Sequence, residues 1–275
     1  MDTSLKSHNT PEKAKEEIKP WIRRTGRFGY MSKGIVYGLV GLLTLMAALG
    51  VGGKTTGTSG LFQSMARMPF GEVLLWIISV GIFGYILWSF IKAINNPHNV
   101  GTISRIAYAI AGIIYTGLAI NAIQIASHAG SGGGDTNKTI SAMLLAQPFG
   151  RYLVGILGII VIGYGLKELY EGFTEKFMSK FHLSDMDPHE KKVARNSGKV
   201  GLMARGVVLG IIGYFFVQTA LTADPSQAKG LDAALLKIAQ QPFGQWLLAM
   251  VALGFILYGI YQIARGRYQK MNFGK

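Results

Sequence analysis

Six apolar stretches set the limits on what this chain can become. They run over residues 34–52, 71–92, 105–126, 150–167, 203–222 and 243–264, each near the roughly 20 residues a helix needs to cross a hydrocarbon core. Backbone polar groups in lipid must be satisfied within the segment, so the stretches predict an all-α integral membrane protein with six transmembrane helices. Charged residues make up 15% of the 275 residues, well below soluble domains, and they crowd into the first 33 residues, a stretch near the middle and the last eleven. Many of the 37 glycines lie inside the apolar stretches, where they let helix backbones approach closely.

The stretches repeat in pairs. Pro69-Phe70-Gly71, Pro148-Phe149-Gly150 and Pro242-Phe243-Gly244 are identical tripeptides. Gly34, Gly112 and Gly206 precede the prolines by 35 or 36 residues, and Tyr85, Tyr164 and Tyr258 follow them by 16. Arg27, Arg105 and Lys199 stand seven residues before the glycines, and small residues (Gly38, Thr116, Gly210) stand four after. Agreement in so many registers is internal repetition. Each unit reads as a first span with a small-xxx-small face and an external Gly/Ser/Thr-rich loop. A short amphipathic segment for the outer interface follows, then a second span with proline in its first turn. The first span follows Arg23, Arg24, Arg27 and Lys33 and alone resembles a signal peptide; as half of a repeat it is expected to remain. Two spans per unit give every copy the same orientation, so these parallel repeats predict a bundle around a pseudo-three-fold axis along the membrane normal. The division is residues 1–26 (N-terminal segment), 27–98 (first repeat), 99–183 (second repeat and extension), 184–198 (linker) and 199–275 (third repeat and basic tail).

Of the Lys and Arg residues, 22 fall on the side of the termini and 6 on the other, which places both termini in the cytoplasm by the positive-inside rule. The net charge of +14 is read as this topology signal; no recognition motif supports nucleic-acid binding. Sixteen residues along a helix is about 24 Å, which carries Tyr85, Tyr164 and Tyr258 from the outer surface to the inner rim. Tyr37 and Tyr115 reach a similar depth from the other end. With Arg27, Arg105 and Lys199 they compose a candidate inner-rim site for an anion or lipid headgroup. An aromatic belt with basic anchors predicts the same pattern without a site. Trp21, Trp76, Trp88 and Trp246 are expected as interfacial anchors or packing residues. The bilayer, anionic lipids at the cytoplasmic face and a membrane or cytoplasmic protein are the expected partners.

Arg27-Phe28-Gly29-Tyr30, Lys33-Gly34 and Tyr37 in the first unit match Arg105, Ala107-Tyr108, Gly112 and Tyr115 in the second and Gly201 and Arg205-Gly206 in the third. Gln147 and Gln241 precede two of the Pro-Phe-Gly tripeptides. This pattern, over roughly residues 20–268, resembles a bacterial membrane family catalogued as domain of unknown function 1206. Met68 before the first proline and Leu202 and Leu209 in place of tyrosines depart from it. The resemblance implies three two-helix units in a bacterial inner membrane and no particular activity.

Little else points to chemistry. Without cysteine there is no disulfide, thiol catalysis or thiolate metal site, and no HExxH, GxSxG, Walker or dinucleotide motif occurs. His182, Asp185, Asp187 and His189 match no ligand spacing, and Gly132-Gly133-Gly134 reads as a flexible connector. No metal or cofactor is expected. Ionisable residues within the spans look almost absent. Glu72 is expected to cap its helix or pair with Arg67, and Lys167 and Glu168 to snorkel or stay exposed. Asn121, Gln124, Gln218 and Gln262 predict interhelical hydrogen bonds or a polar cavity lining. Leu169, Phe173, Phe177 and Phe181, spaced by four, predict one apolar stripe on a helix continuing from the fourth span. Asp187-Pro188-His189-Glu190 predicts a helix start. The expectation is a non-enzymatic structural or accessory membrane protein, with a channel or transporter along the repeat axis as the alternative.

Overall fold

A computed structural model describes residues 11–51, 58–66, 71–95, 101–127, 136–147 and 149–270. Among them the regular structure is helical, with one isolated bridge between Phe181 and Gln269. Six helices are long and apolar enough to cross a membrane. They are α1 (Pro11–Ala48), α3 (Gly71–Asn95), α4 (Thr102–Ala126), α6 (Gly150–Thr174), α7 (Pro188–Thr222) and α9 (Gly244–Tyr268). Three short ones, α2 (Thr58–Ala66), α5 (Thr136–Leu145) and α8 (Leu231–Ala239), each precede the second long helix of a unit. Val80, Phe83, Ile113, Ile159, Leu166 and Met250 point outward and are more than half exposed, a surface suited to acyl chains rather than water.

Helix boundaries follow local chemistry, with two departures from expectation. Asp187 caps α7, accepting from the Glu190 N–H at 2.8 Å while the Glu190 carboxylate accepts from the Asp187 N–H at 3.1 Å; this reciprocal box is worth about 1 kcal/mol. The proline of the tripeptide, however, is not in the first helical turn. Phe243 is the cap residue of α9 and is left-handed (φ 59°), so Pro242 lies before the helix; Phe149 caps α6 in the same way (φ 62°). Pro69, Phe70 and Pro148 lie outside the described residues, as do Arg67 and the Gly132–Gly134 connector. The tripeptide glycine has a packing reason. A Cβ at Gly71, Gly150 or Gly244 would run into the Met65, Leu144 or Ala239 carbonyl at the end of the preceding short helix.

The expected stripe from Leu169 to Phe181 is also broken. Helix α6 ends at Glu175, left-handed at φ 56°, and the chain turns under the bundle. Phe173 stays 74% exposed while Phe177 and Phe181 are fully buried, edge-on and tilted against Tyr261 at 5.2 and 5.9 Å. Backbone hydrogen bonds tie this segment to the end of α9: His182 N–H to Tyr268 O at 2.8 Å and Lys270 N–H to Lys180 O at 2.9 Å.

The long helices pack most extensively as α1 with α9, α3 with α4 and α6 with α7, less so as α1 with α3 and α7 with α9, and barely as α4 with α6. Repeat glycines explain the closest seams. A Cβ on Gly34 would lie 2.7 Å from the Gly259 carbonyl oxygen, and one on Gly259 would lie 2.6 Å from that of Gly34. Gly206 and Gly165 oppose each other in the same way at 2.8 Å. The third seam has Ile86 at the corresponding place, and Gly112 meets the Phe90 ring instead. In the half of the bundle away from the termini, Val40, Leu75, Ile78, Ala119, Ala122, Phe215 and Leu248 are buried in one apolar cluster. Helices α2 and α8 add Leu61, Phe62, Met65, Ala234 and Leu235 to it.

Candidate functional site

At the end bearing the termini the interior changes character. A small cavity of about 30 Å³ lies among the helices, lined by Tyr30 and Lys33 of α1, Tyr85 and Lys92 of α3 and Tyr108 of α4. Helix α6 contributes Tyr164, Lys167, Glu168 and Glu171, helix α9 contributes Tyr258, Tyr261 and Arg265, and Lys180 and Leu202 complete it. Lys180 sits in the turn after α6, so the cavity extends to the face of the termini. Ionisable side chains therefore do lie within the long helices: Lys33, Lys92, Glu168 and Arg205 are each at least nine-tenths buried. Such groups are costly in lipid and persist when partnered.

The partners fall into two kinds. Some cations meet carboxylates. Arg205 Nη1 donates to Glu168 Oε1 in a buried ion pair and Arg205 Nε donates to the Tyr37 hydroxyl at 3.3 Å. Lys180 Nζ reaches both oxygens of Glu171, at 2.9 and 2.7 Å; burial lowers the pKa of this ammonium, against the pull of that carboxylate. The other cations meet phenols. Lys33 Nζ donates to Tyr85 Oη at 3.1 Å and sits 4.4 and 4.8 Å from the ring centres of Tyr85 and Tyr115, a cation–π cage. Lys92 Nζ (2.8 Å), Trp88 Nε1 (3.0 Å) and Arg265 Nη2 (3.2 Å) all donate to Tyr30 Oη. A hydroxyl oxygen has two lone pairs, so three converging donors exceed what Tyr30 satisfies. No carboxylate of the described residues lies within ion-pairing distance of Lys33, Lys92 or Arg265. Glu168 Oε2 is buried and accepts no hydrogen bond among the described residues.

The residues expected at the inner rim separate. The tyrosines come together: Tyr85, Tyr164 and Tyr258 line the cavity, Tyr115 stacks edge-on against Tyr85 at 4.7 Å, and Tyr37 against Tyr258 at 4.9 Å. The basic residues go elsewhere. Arg105 donates to the Ala93 and Ile94 carbonyls at 2.8 and 3.1 Å, closing the end of α3. Lys199 is half-exposed beside Glu175 at 3.8 Å, and Arg27 does not line the cavity. Glu168, expected to snorkel or stay exposed, is buried and paired with Arg205 of α7. Asn121 is buried, Gln124 exposed and Gln218 half-buried, none of them lining the cavity; Gln262 donates to Tyr258. Trp88 is a packing residue and Trp246 is 74% exposed.

The missed charges occupy repeat positions. Counting 23 residues from each Pro-Phe-Gly proline gives Lys92, Glu171 and Arg265, and 20 gives Ser89, Glu168 and Gln262. The residue before each repeat glycine is Lys33, Ala111 or Arg205. The positions repeat although the residue types do not, so a search for identical residues passes over them.

The sequence pattern described as Domain of Unknown Function (DUF1206) matches three times, at residues 28–96, 106–175 and 200–269. A Bacillus subtilis (strain 168) protein described as "Uncharacterized protein YxxB" is 40% identical over 268 residues, which cover 96% of this chain and 97% of that protein. No solved structure matches.

Proposed function

Because the chain belongs to the DUF1206 family, whose description assigns no activity, we propose its function from the cavity. It is a non-enzymatic, multi-pass protein of the bacterial plasma membrane that holds a phosphate-bearing anion in a blind pocket at the cytoplasmic face. The observation that carries this is the trio Lys33, Lys92 and Arg265, three cations facing one cavity with phenols instead of carboxylates as partners. Buried charge without a counter-charge is unfavourable, and an anion between the three supplies it. The orientation rests on the excess of Lys and Arg on the side of the termini. The repeat pairings support a pseudo-three-fold ring around the pocket, with two of the three seams between units meeting at their glycines. The apolar cluster across the opposite half favours a binding role over a channel.

The test is titration of the purified full chain with sn-glycerol 3-phosphate, read by calorimetry. Wild type should bind, and Lys92→Gln with Arg265→Gln should weaken binding by about 100-fold, two charge-assisted contacts of about 1.5 kcal/mol each. Absence of binding, or binding indifferent to the double substitution, would overturn the proposal. Proteoliposomes should show no phosphate flux; sustained flux would restore the transporter reading.

A further inference from the structure

Helices α4 and α6 barely touch beside the pocket, and from this we infer that the anion is a membrane lipid, admitted laterally between α4 and α6 with its headgroup in the cavity. This rests on the cavity reading above. In the first and third units the two long helices of a unit press together on small residues. A Cβ on Gly29 or Gly201 would strike the backbone of Tyr85 or Tyr258. Gly81 lies against Ser32, and Gly254 against Ala204, without room for a methyl group. A Cβ on Gly84 would come within 2.6 Å of the Thr25 carbonyl oxygen.

The second unit replaces this surface at the same registers. Ala107 stands where Gly29 and Gly201 do, Ile110 where Ser32 and Ala204 do, and Ile160 where Gly81 and Gly254 do. Gly163, the counterpart of Gly84, is retained, but a Cβ there would meet nothing within 4 Å. The second unit thus carries larger residue types at these registers, and α4 and α6 barely touch. Tyr108 of α4 and Tyr164 of α6 are half-buried, whereas Tyr85 and Tyr258 are buried.

Both tyrosines also line the cavity, one from each helix of the loose pair. The outer surface beside the seam is apolar: Ile113, Ile156 and Ile159 are each more than half exposed. A ligand with acyl chains in the seam and a phosphate among Lys33, Lys92 and Arg265 satisfies both regions. Glu168 Oε2, buried and without a donor among the described residues, adds a requirement for a hydrogen-bond donor on the headgroup. An anionic phosphodiester carrying hydroxyls, the chemistry of phosphatidylglycerol, meets all three conditions.

The chain has no cysteine, so Gly163→Cys introduces a unique label site where there is open space. The full chain in phosphatidylcholine nanodiscs is given isotopically labelled phosphatidylglycerol from donor vesicles, or sn-glycerol 3-phosphate from solution. A bulky maleimide on the Gly163→Cys variant should lower phosphatidylglycerol binding by about tenfold or more and leave sn-glycerol 3-phosphate binding unchanged. The same label on Val80→Cys, on the outward face of α3, should change neither. Undiminished lipid binding after labelling overturns the lateral route, as does equal loss of both ligands. Binding of sn-glycerol 3-phosphate without phosphatidylglycerol removes the lipid and leaves the pocket. Binding of neither removes both. A label that splits an oligomer, seen as a change in particle mass, assigns the seam to a second copy of the chain and overturns the lipid.

Discussion

The second repeat differs from the first and third in charge and in packing, and the two differences meet at one place. Repeats one and three contribute only cations to the interior, Lys33 and Lys92 from one and Arg205 and Arg265 from the other; repeat two contributes both carboxylates, Glu168 and Glu171, along with Lys167 and Lys180. Repeats one and three close their own helices on glycine, serine and alanine, while repeat two carries Ala107, Ile110 and Ile160 at those registers and its two long helices barely touch. Three identical units would place like charges at symmetry-related positions around one axis, where they repel. Divergence turns that liability into a polarised pocket with one loose side. That loose side is the one through which we propose the lipid enters.

Removing one partner of the ion pair between units should break this arrangement most severely. Arg205→Met leaves Glu168 buried without its counter-charge and is expected to cost about 3–5 kcal/mol, whereas Arg205→Met with Glu168→Leu should recover most of it. Chemical unfolding in detergent measures both; equal losses in the single and double variants would mean the pair does not hold the units together. The next largest effect contrasts the seams. Gly201→Ala pushes a methyl group into the Tyr258 backbone and should cost about 1–3 kcal/mol by overpacking. The counterpart, Ala107→Gly, lies in the loose seam and should cost less than about 1 kcal/mol, the helix-propensity difference alone. Similar losses at the two positions would contradict a loose seam in the second unit.

Much of the scaffold was legible because hydrophobic run length and residue identity report it directly. The six long helices and the three units followed from apolar stretches and from the recurrence of Gly34, Gly112, Gly206 and the Pro-Phe-Gly tripeptides. The gathering of the tyrosines followed from their register. The charges were missed for a physical reason. Lys33, Lys92, Glu168 and Arg265 lie near the ends of apolar stretches, where a snorkelling side chain and a buried one look alike. Burial is decided by the helix packed opposite: Arg205 reaches Glu168 across 37 positions of sequence, and Arg265 reaches Tyr30 across 235. The left-handed Phe149, Glu175 and Phe243 were likewise unreadable, since no glycine or asparagine marks them.

The connector after repeat two offers a smaller test of the comparison. Asp187→Ala removes the cap of α7 and should cost about 1 kcal/mol, read as increased hydrogen exchange in residues 188–191 with the cavity untouched. Weakened phosphate-ester binding in this variant would instead tie the connector to the pocket.

The smallest effect should lie at Glu175, where α6 ends. The left-handed backbone there costs a non-glycine residue about 1 kcal/mol, and glycine removes that strain at the usual place for it. Against this, Glu175→Gly loses contacts with Arg195 at 3.3 Å and Lys199 at 3.8 Å. Arg195 and Lys199 are about half exposed, and such surface pairs contribute only a few tenths of a kcal/mol. The balance favours the variant by roughly 0.5 kcal/mol, a small rise in the unfolding midpoint that should persist in high salt. A fall would mean that the carboxylate positions the turn carrying Phe177 beneath the bundle, and so that the second repeat is anchored at the terminal face by charge as well as by its buried rings.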